Sequence, residues 1–370
     1  MREYAVVMLV AAMATWLSTP VARRVAVLVG AMAHPRDRDV HTIPIPRMGG
    51  LAMLVGTLVA LLVASRLPVL SLVGKSYDDP MAVAVAGTII CLLGAIDDRW
   101  PLDALTKLAG QIVAAGTMTL LGVRLSSLSI PGVHTSISLT PDVSVPLTVL
   151  LAVVLINAVN FIDGLDGLAA GVVAIAATAN FVFSYSLSAE QGYLRAQPAT
   201  LLSAVCIGVC VGFLPHNFNP AKVIMGDSGS MLIGLLLAAS ATSITGEFDF
   251  ASASSTLSQS YPLLVPLLIP ALVLAVPIVD LVLAVLRRTK ARRSPFAPDK
   301  QHLHHRLLEI GHSHRRAVLL MYAWSAIIGV GGVVVSSSRG PAVPVAVLGG
   351  LAIIVLVVSS LPRLRAHRSP

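Results

Sequence analysis

Apolar runs recur along the whole chain at the length a bilayer demands, and nothing else in the sequence narrows the fold so far. About eleven of them, each roughly 15 to 24 residues long, lie near 4–20, 48–65, 81–96, 104–121, 145–161, 167–187, 199–214, 228–245, 263–286, 317–335 and 342–360. In hydrocarbon every backbone N–H and C=O needs an internal partner, and a helix supplies all of them within one segment. The expected fold is therefore all-α and polytopic. It is a single integral membrane domain over 1–370, with about eleven transmembrane helices and an active site on the cytoplasmic face. Composition agrees, with 56% hydrophobic and 12% charged residues, where soluble domains carry about 25% charged. Pro270 and Pro277 predict a kink in the ninth run. The first run is not a signal peptide, because the basic pair Arg23 and Arg24 follows it and a signal peptide carries its charge in front. It is expected to stay as a helix with the N-terminus outside.

Lys and Arg set the orientation. Of the 26 basic residues, only Arg2, Arg66, Lys75, Arg124, Arg195 and Arg339 lie on the side reached after even-numbered runs. The loops after odd-numbered runs are thus cytoplasmic, as is the C-terminus. The net charge of +8 reflects these loops and anionic headgroups and not nucleic acid. Cys91, Cys206 and Cys210 lie in apolar runs without zinc or redox spacing and read as small core residues. The outer segments 122–144 and 246–262 read as short hairpins or caps.

Five polar clusters fall on the cytoplasmic side, in loops near 21–47, 97–103, 162–166, 215–227 and 287–316. They are His41-Thr-Ile-Pro-Ile-Pro-Arg47-Met-Gly-Gly50, then Gly94-Ala-Ile-Asp97-Asp98-Arg99, then Asn157-Ala-Val-Asn160-Phe-Ile-Asp163-Gly-Leu-Asp166-Gly-Leu. The last two are His216-Asn217-Phe-Asn219 through Lys222 to Gly226-Asp227-Ser-Gly-Ser230, and Asp299-Lys-Gln-His302-Leu-His304-His305-Arg306. Unrelated turns would scatter over both faces. An aspartate left in the hydrocarbon centre costs roughly 2.5 to 3.5 kcal/mol, so the acids belong at a membrane boundary facing a cavity.

Each cluster has a chemical reading. Asp97 and Asp98 are adjacent, point about 100° apart on a helix and need not share one task; like charges this close suit a general base. Asn160 and Asp227 offer the hard oxygens that Mg²⁺ takes together with water and phosphate. The plain alternative for Asp227 is an N-cap on the eighth run. Glycines around Asp227 would let the backbone approach phosphate or ribose. Lys107 would neutralise phosphate, although a lone Lys at a helix start is usually a snorkelling anchor. His302, His304 and His305 have zinc-like spacing, but the nine Lys and Arg residues between 287 and 316 favour phosphate; Arg287, Arg288, Lys290, Arg292 and Arg293 fit a basic loop lying on anionic lipid, which accounts poorly for the histidines. Along Asn157–Asp166 a continuous helix would send the first and last polar residues to opposite sides, so Gly164 and Gly167 are expected to open the backbone. A secondary transporter would place such acids near the midplane in inverted repeats, and no such repeat is visible. A metal-dependent membrane phosphohydrolase stands nearer in chemistry.

Together these strings resemble the polyprenyl-phosphate N-acetylhexosamine-1-phosphate transferases (glycosyltransferase family 4), over nearly the whole chain and most closely the WecA/TagO branch. That branch carries Pro-Arg-x-Gly-Gly, Gly-x-x-Asp-Asp-Arg, Asn-x-x-Asn-Phe-Ile-Asp-Gly-Leu-Asp-Gly-Leu, Met-Gly-Asp-x-Gly-Ser and His-Leu-His-His-Arg-Leu. The related MraY enzymes have Thr-Met-Gly-Gly where this chain has Arg47-Met48-Gly49-Gly50, and three successive histidines where it has His302-Leu303-His304-His305. These departures favour UDP-N-acetylglucosamine over a muramyl-pentapeptide substrate.

The resemblance implies transfer of GlcNAc-1-phosphate from UDP-GlcNAc to undecaprenyl or decaprenyl phosphate, giving GlcNAc-diphosphate-polyprenol and UMP. This would be the first membrane step of a cell-wall polysaccharide or arabinogalactan linker. It implies Asp97 and Asp98 at the acceptor phosphate, with Asp97 the expected base, Lys107 near the phosphates and Asp163 needed for activity. It further implies Asn160 and Asp227 at Mg²⁺ (or Mn²⁺), and Asp166 and Asn217 around the uridine. His302, His304, His305 and Arg306 would grip the pyrophosphate or sugar, with Arg47 and His41 as weaker members of the binding set. Direct displacement and a covalent aspartyl-phosphate both stay open, as does a homodimer. Asp280 matches a family feature without a physical role.

Overall fold

The computed structural model describes residues 1–33, 44–129, 136–189, 192–245, 268, 313–337 and 342–360. Its helices are α1 (Arg2–Val29), α2 (Gly49–Ala64), α3 (Leu70–Ser76), α4 (Asp79–Arg99), α5 (Ala104–Leu120) and α6 (Pro141–Ile162). They continue with α7 (Leu168–Ala189), α8 (Ala196–Asn217), α9 (Gly226–Thr242), α10 (His314–Ser337) and α11 (Ala342–Ser360). Two antiparallel pairs complete the described elements: β1 (Met32–Ala33) with β2 (Ile45–Pro46), and β3 (Ser127–Ser129) with β4 (Ser136–Ser138). The second pair is the hairpin expected within 122–144.

Every expected apolar run except the ninth falls on one of these helices. The ninth, with Asp280, lies outside the described residues, as do the segment 246–262 and most of the loop 287–316. Among the described residues six helices suffice by length and composition to cross a membrane, namely α1, α4, α6, α7, α8 and α10, while α2 and the stretch Val345–Val358 of α11 are shorter apolar helices. The expected count of about eleven exceeds what length and composition establish for the described residues. The chain is nonetheless an integral membrane protein, built from multiple apolar helices. Helix α1 runs through Arg23 and Arg24 to Val29, past its expected end, because Ala22 and Ala26 keep a buried stripe there while both arginines stay exposed. Helix α3 was not foreseen. Its free N-terminal amides are met from α1, where the Glu3 carboxylate accepts the N–H groups of Val69 (3.0 Å) and Leu70 (2.8 Å), relieving donors that an uncapped helix leaves unpaired.

Helix α9 is the axis of the molecule. It is buried along its length apart from Asp227, and it packs against α2, α4, α6, α7 and α8. The contact is close enough that Gly229 on α9 lies against Gly50 on α2, and Gly94 on α4 lies against Ser228. Of the glycines around Asp227 expected to let the backbone approach phosphate or ribose, Gly229 is occupied by this helix contact. Polar pairs fix the remaining registers. Asn157 on α6 donates to Gln111 Oε1 on α5 at 2.7 Å, and the Gln111 amide lies 3.4 Å from Asn157 Oδ1. Leaving one such buried amide unpaired would cost about 1–3 kcal/mol, so the pair holds α5 and α6 in a defined rotation.

Candidate active site

Asp103 accepts the N–H groups of Leu105 and Thr106 at 3.0 Å each, which is the N-cap arrangement, and so fixes where α5 begins. Lys107 follows one turn later. Its ammonium reaches Asp97 Oδ2 at 2.8 Å and pairs with Asp227 Oδ2. The other Asp97 oxygen accepts the Leu102 N–H at 2.8 Å, anchoring the link between α4 and α5. Three of the expected site residues therefore meet at one point, drawn from the C-terminus of α4 and the N-termini of α5 and α9. Lys107 is partly buried and shared between two carboxylates, not the lone snorkelling anchor that its position alone suggests.

Asp98 turns away from this bridge. Its Oδ1 accepts the Asp227 N–H at 2.9 Å, and its Oδ2 accepts the Ser228 N–H at 3.2 Å and hydroxyl at 2.7 Å. The N-cap role considered for Asp227 is thus supplied by Asp98 from another helix, and the Asp227 side chain is left for the site.

The stretch between α6 and α7 opens as expected: α6 ends at Ile162, Gly167 has φ 77, and α7 starts at Leu168. Asn160 donates to Ser230 Oγ at 2.9 Å, which aims its amide oxygen away from that bond. Asp163 caps the end of α6 and is half-buried. Burial, reinforced by the Asp227 charge and opposed by Arg47, holds its carboxyl well above the usual carboxylate range. Asp166 is buried; its Oδ2 accepts from Asn219 Nδ2 and from the Ala221 N–H, each at 3.0 Å, and its own N–H donates to His314 Nε2 at 3.0 Å. Asn217 accepts from the Gly167 N–H and donates to the Val223 carbonyl, both at 3.0 Å. Asp166 and Asn217 thus brace the α6–α7 turn against the segment 217–223. Asn219, Ser228, Ser230 and His314 were not singled out in the sequence, although the first three lie inside a quoted string.

Arg47 sits on the segment joining β2 to α2, which is laced to the start of α9. The Ile224 N–H donates to Pro46 O at 2.9 Å, and the Gly49 and Gly50 N–H groups donate to Ile224 O and Met225 O at 3.1 Å. Its buried Nε has no hydrogen-bond partner among the described residues, and its charge acts on Asp98, Asp163 and Asp227. His41, His302, His304, His305 and Arg306 lie outside the described residues.

Among the described residues no three His, Cys, Asp or Glu side chains form a metal-binding group. Mg²⁺ does not ask for one: it is commonly held by one or two protein oxygens together with water and phosphate. Asp227, in the first turn of α9, and Asn160, bonded to Ser230 one turn further along that helix, would supply such a donor set.

Residues 80–245, which carry Asp97, Asp98, Lys107, Asn160, Asp163, Asp166, Asn217 and Asp227, match glycosyl transferase family 4. The chain is 49% identical over 369 residues to the decaprenyl-phosphate N-acetylglucosaminephosphotransferase of Mycolicibacterium smegmatis, covering 99% of this chain and 90% of that protein. It is 34% identical to a probable undecaprenyl-phosphate N-acetylglucosaminyl 1-phosphate transferase of Bacillus subtilis, covering 91% and 86%. To the undecaprenyl-phosphate alpha-N-acetylglucosaminyl 1-phosphate transferase of Escherichia coli K12 it is 29% identical, covering 86% and 80%. The chain belongs to glycosyl transferase family 4, in the group of polyprenyl-phosphate N-acetylglucosamine phosphotransferases.

Proposed function

We propose that the protein transfers GlcNAc-1-phosphate from UDP-GlcNAc to a polyprenyl phosphate, with decaprenyl phosphate the acceptor by likeness to the mycobacterial relatives. The observation that carries this reading is the bridge of Lys107 between Asp97 and Asp227. It gathers a base, a cation and a metal-binding carboxylate at one end of the helix bundle, where a lipid phosphate and a soluble nucleotide can meet. An oxygen of the lipid phosphate attacks the β-phosphorus of UDP-GlcNAc, the bond from that phosphorus to the bridging oxygen of UMP breaks, and UMP leaves. The nucleophile is already an anion, so the protein's task is chiefly to position and to neutralise charge. Asp97 takes the acceptor's last proton, Lys107 moves charge toward the phosphates, and Arg47 offers a further cation. Asp227 and Asn160 would hold Mg²⁺, or Mn²⁺ in its place, and the ion would offset pyrophosphate charge. His302, His304, His305 and Arg306 complete the sugar-phosphate grip.

In the same reading the chain has about eleven membrane helices, the N-terminus is outside and the site faces the cytoplasm, where nucleotide sugars are found. Purified protein incubated with UDP-GlcNAc should release UMP only when decaprenyl phosphate is present, and the lipid should gain the mass of GlcNAc-1-phosphate. UMP release without lipid would mark a hydrolase instead.

A further inference from the structure

Asp97 and Asp98 are neighbours in sequence, and likeness to the family gives them a shared duty at the acceptor phosphate. Their surroundings separate them. One residue along a helix rotates the side chain by about 100°, so Asp97 meets Lys107 on α5 while Asp98 meets the first turn of α9. Both Asp98 oxygens are used there, by two backbone N–H groups and one hydroxyl, and the residue is only 5% exposed. The amides of Asp227 and Ser228 belong to the first helical turn, whose N–H groups have no acceptor within the helix. Met225, at the N-cap of α9, makes no side-chain cap. Gly226 has φ 70, and a Cβ on it would strike the Asp98 carboxylate. The chain therefore approaches Asp98 as closely as it can at this one residue.

We propose that Asp98 is a positioning residue. It is the N-cap of α9 delivered from α4, and it serves the reaction by fixing the Asp227 backbone and thereby the carboxylate that meets Lys107. It does not exchange a proton with the substrate. The activity arm of the test rests on the transferase reading above; the structural arm does not.

Amide hydrogen exchange on metal-free protein in detergent, followed in peptides spanning 224–231, tests the cap directly. Asp98→Ala should speed exchange at Asp227 and Ser228 by about tenfold while the C-terminal half of α9 keeps its protection. Asp98→Asn should stay within about threefold of wild type at Asp227, since Asn caps helices as well as Asp does and its oxygen still accepts from the Asp227 amide. The Ser228 hydroxyl can turn to accept from the new NH₂, but the Ser228 N–H loses its acceptor, so any faster exchange should be confined to Ser228. In the assay with UDP-GlcNAc and decaprenyl phosphate, Asp98→Asn should keep kcat within about tenfold, whereas loss of a general base costs roughly 10²- to 10⁴-fold. Asp98→Ala should raise the half-saturating Mg²⁺ concentration. Unchanged exchange in Asp98→Ala would overturn the proposal, as would an Asp98→Asn enzyme with intact protection and kcat lowered a thousandfold. If Asp98→Ala does not fold, Ser228→Ala removes one of the three donors in a mild way and should still loosen the same peptide; unaltered exchange there would also overturn it. A wild-type protein that transfers no sugar phosphate would count against the transferase reading, and the exchange arm would still test the cap.

Discussion

Lys107 and Asp227 start different helices, 120 positions apart in the chain, and their side chains form an ion pair. The same ammonium holds Asp97 at 2.8 Å, so one cation serves two carboxylates. Removing it as Lys107→Met should lower kcat by about 10²- to 10³-fold, the range for losing one preorganised charge. It should also lower the unfolding temperature, because two like charges then face each other with only partial access to solvent. Adding Asp97→Asn should restore part of the lost thermal stability, since groups in one network do not act additively. A double variant that melts no higher than Lys107→Met would show that the two carboxylates are not coupled through Lys107.

The proposed function makes Asp227 a direct ligand of Mg²⁺. Asp227→Asn keeps shape and one oxygen but loses the charge, and Asp227→Glu keeps charge but shifts it by a methylene, which suits the near-octahedral demand of Mg²⁺ poorly. Both should lose activity. In Asp227→Asn any residual turnover should need at least about tenfold more Mg²⁺, given that changes even outside the ligand shell cost 10- to 100-fold in affinity. A folded, active Asp227→Asn with an unaltered Mg²⁺ titration would remove the ligand assignment.

The raised Asp163 carboxyl gives a pH dependence with a definite sign. A carboxyl whose pKa is higher in the fold than in the unfolded chain binds its proton more tightly when folded. The stability it lends is complete below the unfolded value of about 3.9 and is lost as pH rises from there through the elevated folded value. Asp163→Asn carries no charge at any of these pH values. In metal-free protein it should unfold at a higher temperature than wild type near neutral pH, and the gap should close as pH falls toward about 4. Parallel melting curves with a constant offset would contradict the assignment.

Orientation is open to labelling. Trp100 lies between α4 and α5 at the end of the molecule that carries the site, Lys75 lies at the opposite end in α3, and both are exposed. Cys91, Cys206 and Cys210 are buried and give little background. A cysteine at 75 should react with a membrane-impermeant thiol reagent on intact cells, and one at 100 should react only after lysis. The reverse pattern would invert the proposed topology.

Helix positions were legible because an apolar run of bilayer length leaves the backbone few other states. The convergence of Asp97, Lys107 and Asp227 was legible in outline, because loops after odd-numbered runs must share a face. Atom-level partners were not. Adjacent aspartates announce two directions but not their destinations, so the capping of α9 by Asp98 depended on how α4 and α9 are rotated against each other. Asn157 was legible as the first member of the Asn157–Asp166 cluster, yet its partner Gln111 is 46 positions away, and nothing local marks the pair. Asp166 and Asn217 were legible as polar turn residues, but their bonds to Ala221, Gly167 and Val223 arise only once α6, α7 and α8 are assembled.

Helix α9 carries Asp227 at its tip and is otherwise enclosed by protein. A bilayer that thins or thickens acts first on helices it touches, by tilting them; α9 meets such a change only through its neighbours. The Asp227 carboxylate thus stands on a post that other helices separate from the bilayer, and a change in membrane thickness reaches it only after those helices have absorbed part of it.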